Sequence, residues 1–281
     1  MTLLEKKRQT FVARPERLSF AGVVRSELIK LTSLRSTIAL VVSIIVVGVG
    51  VSVALGLTME GAILPDLRSV GFVLDQITVG TVLFGQLIAA VLGVIVISGE
   101  YSSGTIQPTL IATPTRLPVL GAKAVVLFGM TTVSAVVAAF GSWAVTYPMF
   151  AAFDLEIGVT APGVALSLLG TSVFVGLSAI LGLGIGSLLR SVAASVATAI
   201  SVMLLLPIVL SVLPASQVVR NLQLLSMSKA GDAMSNPSET LGVAVDLVDG
   251  FVSPGAGWII ALVWAGTFLV LGAIRLRRGD A

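Results

Sequence analysis

The sequence contains no cysteine and no histidine. Thiolate chemistry, imidazole bases and the commonest zinc ligands are therefore excluded. Charge is also scarce. Asp, Glu, Lys and Arg make up 11% of the chain, against roughly 25% in a soluble domain. No G-x-x-x-x-G-K-[ST] occurs, so the chain has no P-loop, and ATP-driven work would need an ATPase on another chain. The absence that decides most is local. Residues 36–59, 76–99, 124–153, 157–189, 191–219 and 250–274 carry no charged side chain. Each run exceeds the roughly 20 residues a helix needs to cross about 30 Å of hydrocarbon. A backbone polar group left unpaired in lipid costs several kcal/mol, so such runs must be helical.

These runs predict an all-α polytopic membrane protein with a single transmembrane domain over 1–281. The expected spans are about 37–58, 78–98, 119–147, 164–188, 192–213 and 256–274. Basic residues then set the orientation. Lys6, Lys7, Arg8, Arg14, Arg17, Arg25, Lys30 and Arg35 precede the first span. Arg116 and Lys123 lie between spans two and three, Arg190 between four and five, and Arg275, Arg277 and Arg278 after the sixth. The other side holds only Arg68, Arg220 and Lys229. Positive-inside asymmetry puts both termini in the cytoplasm, with the chain multi-pass in the cell (inner) membrane. The basic residues are read as topology signals and headgroup contacts, not as a nucleic-acid surface. Residues 1–35 are basic and broken and do not read as a signal peptide.

Residues 1–35 are expected to be a cytoplasmic tail followed by a helix. Leu18, Ala21, Val24, Leu28, Leu31 and Leu34 recur at three or four residues, the helical period. Arg25, Glu27 and Lys30 occupy the other faces. Such a basic amphipathic helix either lies on the leaflet or is an ordinary juxtamembrane helix. Residues 214–255 form the longest external segment. Val218, Val219, Leu222, Leu225 and Met227 suggest one short amphipathic piece. Leu241, Val243, Val245, Leu247 and Val248 suggest another. Both are too short to span and are read as re-entrant or interfacial helices.

The span middles hold no ionisable residue, whereas proton relays and ion paths need one there. Gln86, in the middle of span two, is read as an interhelical hydrogen-bonding group. Gly182 and Gly186 in span four form a small-xxx-small pair, serving either packing within the chain or a dimer face. Without Cys, His or a buried Asp no intramembrane catalytic constellation is assembled, so no enzyme activity of this chain is expected.

The most specific segment follows span two: Ser98-Gly-Glu-Tyr-Ser-Ser-Gly-Thr-Ile-Gln-Pro-Thr-Leu-Ile-Ala-Thr-Pro-Thr-Arg116. Glu100 sits where a span leaves the membrane, so its carboxylate is expected to reach water or a partner. Gly104 and Thr105 permit a bend and an N-cap, and Pro114 and Pro118 suit a helix start. The segment reads as a stiff cytoplasmic connector, or as a solvated loop.

Glu100-Tyr-x-x-Gly-Thr, then Leu110, Pro114, Arg116 and Lys123, resembles the signature of ABC-2 type permeases, the membrane subunits of ABC exporters. Glu27-Leu-Ile-Lys30-Leu before span one resembles that family's elbow helix. The resemblance covers the whole layout and implies a type V ABC exporter fold. Two six-span chains would pair, as a homodimer or with a second permease, and each would dock a separate ATPase subunit carrying the ATP and Mg. This chain would bind no cofactor and no metal. Glu100, Tyr101, Gly104, Thr105, Pro114 and Arg116 would form the ATPase-coupling region (100–118), with Glu27 and Lys30 facing the ATPase from the elbow helix. The implied function is ATP-driven export of a hydrophobic or amphipathic substrate such as a drug, antibiotic, peptide or lipid. The alternatives are an ATP-independent channel or carrier, or a non-transporting scaffold.

Overall fold

The computed structural model describes residues 19–58, 70–102, 116–214, 216–236, 243–246 and 250–278. The first helix, α1 (Phe20–Ser33), begins where the Ser19 hydroxyl accepts a bond from the Gly22 N–H. Leu34 is extended and turns the chain into α2 (Arg35–Leu57). The long helices α3 (Val70–Ser102), α4 (Arg116–Ala151), α5 (Val164–Leu189) and α6 (Val192–Val212) follow. Two short helices come next, α7 (Gln217–Leu224) and α8 (Met227–Ser235). A minimal hairpin, β1 (Val245–Asp246) with β2 (Phe251–Val252), leads into α9 (Pro254–Arg278). Helices α2, α3, α4, α5, α6 and α9 are each long and apolar enough to cross a membrane. The chain is therefore an all-α polytopic membrane protein.

One span starts well before its expected position, and the difference brings a carboxylate into the helix. Helix α3 begins at Val70, eight residues before the expected 78, so Asp75 belongs to the span and not to the preceding loop. Its neighbours Val73, Leu74 and Ile77 are buried in a small core with Phe150, Val164 and Leu168. One carboxylate facing a polar cavity does not stop a helix whose other faces pack so well. Helix α4 begins at Arg116, three residues before the expected 119, and Lys123, already inside the expected span, lies on its third turn and is almost fully buried.

The second amphipathic piece predicted in 214–255 is not a helix where the structure describes it. Val245 pairs with Val252 and Asp246 with Phe251, antiparallel. Gly250 takes φ 73° and donates its N–H to the Asp246 carbonyl, closing the turn. Alternating β-branched residues followed by a left-handed glycine favour this hairpin over a helix. Leu241, Leu247 and Val248 lie outside the described residues.

Helix α5 is the hub. It packs against α3, α4, α6, α8 and α9, and its middle is buried on every side. Hydrocarbon gives helices no hydrophobic reason to associate, so close backbone approach must supply the contact energy. Glycine makes that approach possible. A Cβ on Gly182 would overlap the Ala90 carbonyl of α3, and one on Gly93 would overlap the Ala179 carbonyl of α5. Gly186 meets Ile97 and Ser98 in the same way. The Gly182/Gly186 pair thus serves packing within the chain. Helices α3 and α6 each contain one wide π turn, Thr81–Gly85 and Ser201–Leu205.

Gly182→Ala should therefore force α3 and α5 apart, at a cost of about 1–3 kcal/mol. Gly50→Ala, where nothing lies within 4 Å of the added methyl, should be neutral. Melting of the two purified variants in detergent checks this, and equal midpoints would contradict the close-packing account.

Candidate functional site

Four charged side chains from three helices meet at the end of the bundle that carries α1. Glu27 and Lys30 stand three residues apart on α1 and so share a face. Glu100 lies in the last turns of α3, and Lys123 in α4. Lys123 Nζ donates to Glu27 Oε2 at 2.5 Å and to Glu100 Oε1 at 3.0 Å. Lys30 Nζ donates to Glu100 Oε1 as well and lies 3.7 Å from Glu27 Oε1. Lys123 is 1% exposed, Glu27 4% and Glu100 8%. Two carboxylates and two ammonium groups thus form a neutral square, with Glu27, Glu100 and Lys123 buried and Lys30 at its rim.

Burial draws the Lys30 ammonium pKa down, but its hydrogen bond to Glu100 and the charges of Glu100 and Glu27 outweigh that. The net effect is a pKa above the ordinary lysine value. The contribution of this cation to stability is present below the ordinary value and is lost only as pH rises through the raised one. The square is fully charged on the Lys30 side at neutral pH.

Tyr101 and Arg190 extend the same end. The Arg190 guanidinium lies over the Tyr101 ring, 5.1 Å from its centroid. Arg190 itself caps α5 with a left-handed backbone (φ 55°), and its Nη2 donates to the Arg275 carbonyl of α9 at 3.5 Å. The Ser98 hydroxyl donates to the Gly186 carbonyl at 3.3 Å. Helices α1, α3, α4, α5 and α9 are thus each tied to a neighbour by a polar contact at this end.

Of the residues the sequence singles out, the structure brings Glu27, Lys30 and Glu100 together around Lys123, with both carboxylates turned inward. Glu100 does not reach outward to water or a partner; both nearby lysines hold it inside the chain. Glu27 likewise turns inward to Lys123. Lys30 remains half-buried at the rim. Gly104, Thr105 and Pro114 lie outside the described residues, as does the Arg116 side chain. Lys123, quoted only as part of a motif, proves central. A lysine two turns into an apolar helix is the signal that marks it.

A second polar site lies at the opposite end, and sequence reasoning missed it. A cavity of about 560 Å³ opens between α3 and α8, with Asp75, Gln86, Lys229 and Asp232 in its wall. Helix α8 is packed into the bundle: Ala230, Ala233 and Met234 are buried, and the Ser167 hydroxyl donates to the Ser235 carbonyl. Trp264 Nε1 of α9 donates to the Leu225 carbonyl at 2.8 Å and fixes the start of α8. Lys229 lies 3.9 Å from Asp232. Asp232 stays open to the cavity, yet neighbours crowd it. Burial pushes its carboxyl above the usual range, Lys229 opposes this and Asp75 adds to it. Asp75 has no ion pair within 4.0 Å among the described residues. The interhelical hydrogen bond expected of Gln86 is not made by its carbonyl oxygen, which is buried without a partner.

Comparison with known protein families and with curated protein sequences finds no match.

Removing one member of the buried square should be costly, because it leaves charge uncompensated. Lys123→Met is expected to destabilise the protein by about 3–5 kcal/mol. The triple variant Glu27→Gln/Glu100→Gln/Lys123→Met should recover most of that loss. Melting midpoints in detergent decide it: a triple variant no more stable than the single one would mean that packing, not charge, is what Lys123 provides.

Proposed function

We propose that this chain is the membrane subunit of an ATP-driven exporter of the ABC-2 type. It acts in the cytoplasmic membrane with both termini in the cytoplasm, and moves a hydrophobic or amphipathic cargo. It works with a separate ATPase subunit, which carries ATP and Mg, and with a second permease chain.

The observation that carries this reading is the charged square. Glu100 stands just before the 103–115 segment and Lys123 just after it, and both are bonded to α1. A displacement of that segment by a docked partner is therefore delivered to α1, α3 and α4 together. A solvated loop needs no such bracing. The six spans, the helix before the first of them and the absence of charge from the span middles agree with the reading. Helices α2 and α6 bury the least surface and are the free flanks for lipid or for a second copy.

ATP binding draws two ATPases together, and their movement pushes the segments between α3 and α4. The spans then re-pack to open outward. Cargo biases this equilibrium only through its different affinity for the two states.

Pull-down of the tagged chain from its native membrane, with mass spectrometry and an ATPase assay, tests the class. A stoichiometric P-loop ATPase is expected, and a pure six-span chain with none would overturn the reading. Orientation is tested with single cysteines, since the chain has none of its own. Glu156→Cys, on the exposed turn after α4, should react with an impermeant maleimide in intact cells, and Ser33→Cys only after permeabilisation. Glu100→Gln should lower transport by about ten-fold while the ATPase still co-purifies. Normal transport by that variant would remove Glu100 from the coupling path.

A further inference from the structure

The cavity between α3 and α8 has the features of a ligand site beyond its two acidic residues. Its volume of about 560 Å³ suits a drug-sized molecule, for which pockets run about 300–1,000 Å³. Asp75, Val79, Val82 and Gln86 follow one another along the wall contributed by α3. Asp75 and Gln86 are eleven residues apart, roughly 16 Å along the helix axis. The face is therefore acidic at one end, apolar in the middle and amide-lined at the other.

Gln86 supplies the independent observation. It is 1% exposed, it lines the cavity, and its Oε1 has no hydrogen-bond partner. A buried carbonyl oxygen left unpaired costs about 1–3 kcal/mol, so it marks a place where a donor belongs. A π turn, Thr81–Gly85, lies immediately before it, and such turns are frequent at functional sites.

Charge selects the ligand. Asp75 and Asp232 bring two carboxylates to the mouth, and Lys229 brings one ammonium. With all three ionised the cavity carries one uncompensated negative charge. A cation is favoured and an anion opposed. A bare metal ion fits poorly, because the carboxylates sit beside a lysine ammonium and most of the wall offers it no charge.

We propose that this cavity binds an elongated cationic amphiphile, with its ammonium group at Asp75 and Asp232, its apolar body along Val79 and Val82, and an N–H or O–H donor on Gln86 Oε1. Within the exporter reading, on which this naming of the cargo rests, the site receives cargo at the end of the bundle opposite the ATPase.

The test is binding, measured without ATP or ATPase, so it can fail or succeed independently of the exporter class. The full-length chain is placed in phosphatidylcholine nanodiscs and titrated with dansylcadaverine, a fluorescent primary amine whose sulfonamide carries a second N–H. Its N-acetylated form is the neutral control. The parent probe should bind at least about ten-fold more tightly than the neutral form. Asp75→Asn and Asp232→Asn should each weaken binding by about ten-fold, Gln86→Leu should weaken it by several-fold, and Asp75→Glu should retain it. Melting midpoints close to the parent's show that the variants are folded. Equal affinity for the charged and acetylated probes, or unchanged affinity in folded Asp75→Asn and Asp232→Asn chains, would overturn the assignment.

Discussion

A lysine ammonium withdrawn from water must have countercharge within reach, and Lys123 imposes that requirement on three helices at once. Even after relaxation, desolvating an ion costs several kcal/mol, so an apolar helix carrying a buried lysine is unstable alone. Glu27 arrives from α1 and Glu100 from the end of α3, and each accepts a bond from the same nitrogen. Lys30 then balances the second carboxylate. Apolar helices in lipid have little to tell one partner from another. The square supplies a directional contact that joins α1, α3 and α4, since each carboxylate is bonded across helices.

The rest of the bundle is fixed by shape. Helix α5 meets α3 through glycine on both sides of the crossing, Gly93 against Ala179 and Gly182 against Ala90. Such contacts hold a helix rigidly, because backbone meets backbone with no flexible side chain between. Helices α2 and α6 are free on most of their surface. Helix α3 joins the two regimes: it carries Glu100 at one end, Asp75 and Gln86 toward the other, and a π turn within the span. A displacement at Glu100 therefore has a continuous helical route to the cavity wall, with one wide turn on the way.

How much of this was legible in the sequence follows from which forces are local. The six spans were readable because backbone satisfaction in lipid acts on each run separately. Glu27, Lys30 and Glu100 were readable as a set through their motif, but their directions were not. The pairing of Lys123 with Glu27 spans 96 residues, and no local pattern reports it. The same gap explains Asp75: a charge seemed to end the apolar run, yet the helix continues because that charge faces a cavity built by a segment far along the chain. Helix α8, Met-Ser-Lys-Ala-Gly-Asp-Ala-Met-Ser, reads as loop by composition. It is buried because Gly231 lets it lie on Phe174 and Gly257 lets α9 lie on it, which are properties of the neighbours' shapes.

Charge plays opposite parts at the two ends. At the α1 end two positive and two negative groups cancel, so the square exerts little field beyond itself and offers nothing to a passing ion. It costs desolvation and returns geometry. At the α8 end Asp75, Asp232 and Lys229 do not cancel, and they line an open cavity. There charge remains available to a ligand. Between them the spans carry no ionisable group, so no fixed charge along the middle of the bundle can trap a cation. A molecule whose apolar body crosses that middle, and whose cationic group is held only at the far end, meets attraction where it finishes and none where it would stall. A small hydrated ion meets the reverse, a long uncharged stretch with nothing to replace its water. Under the exporter proposal, that contrast favours an amphiphile over an ion as the cargo.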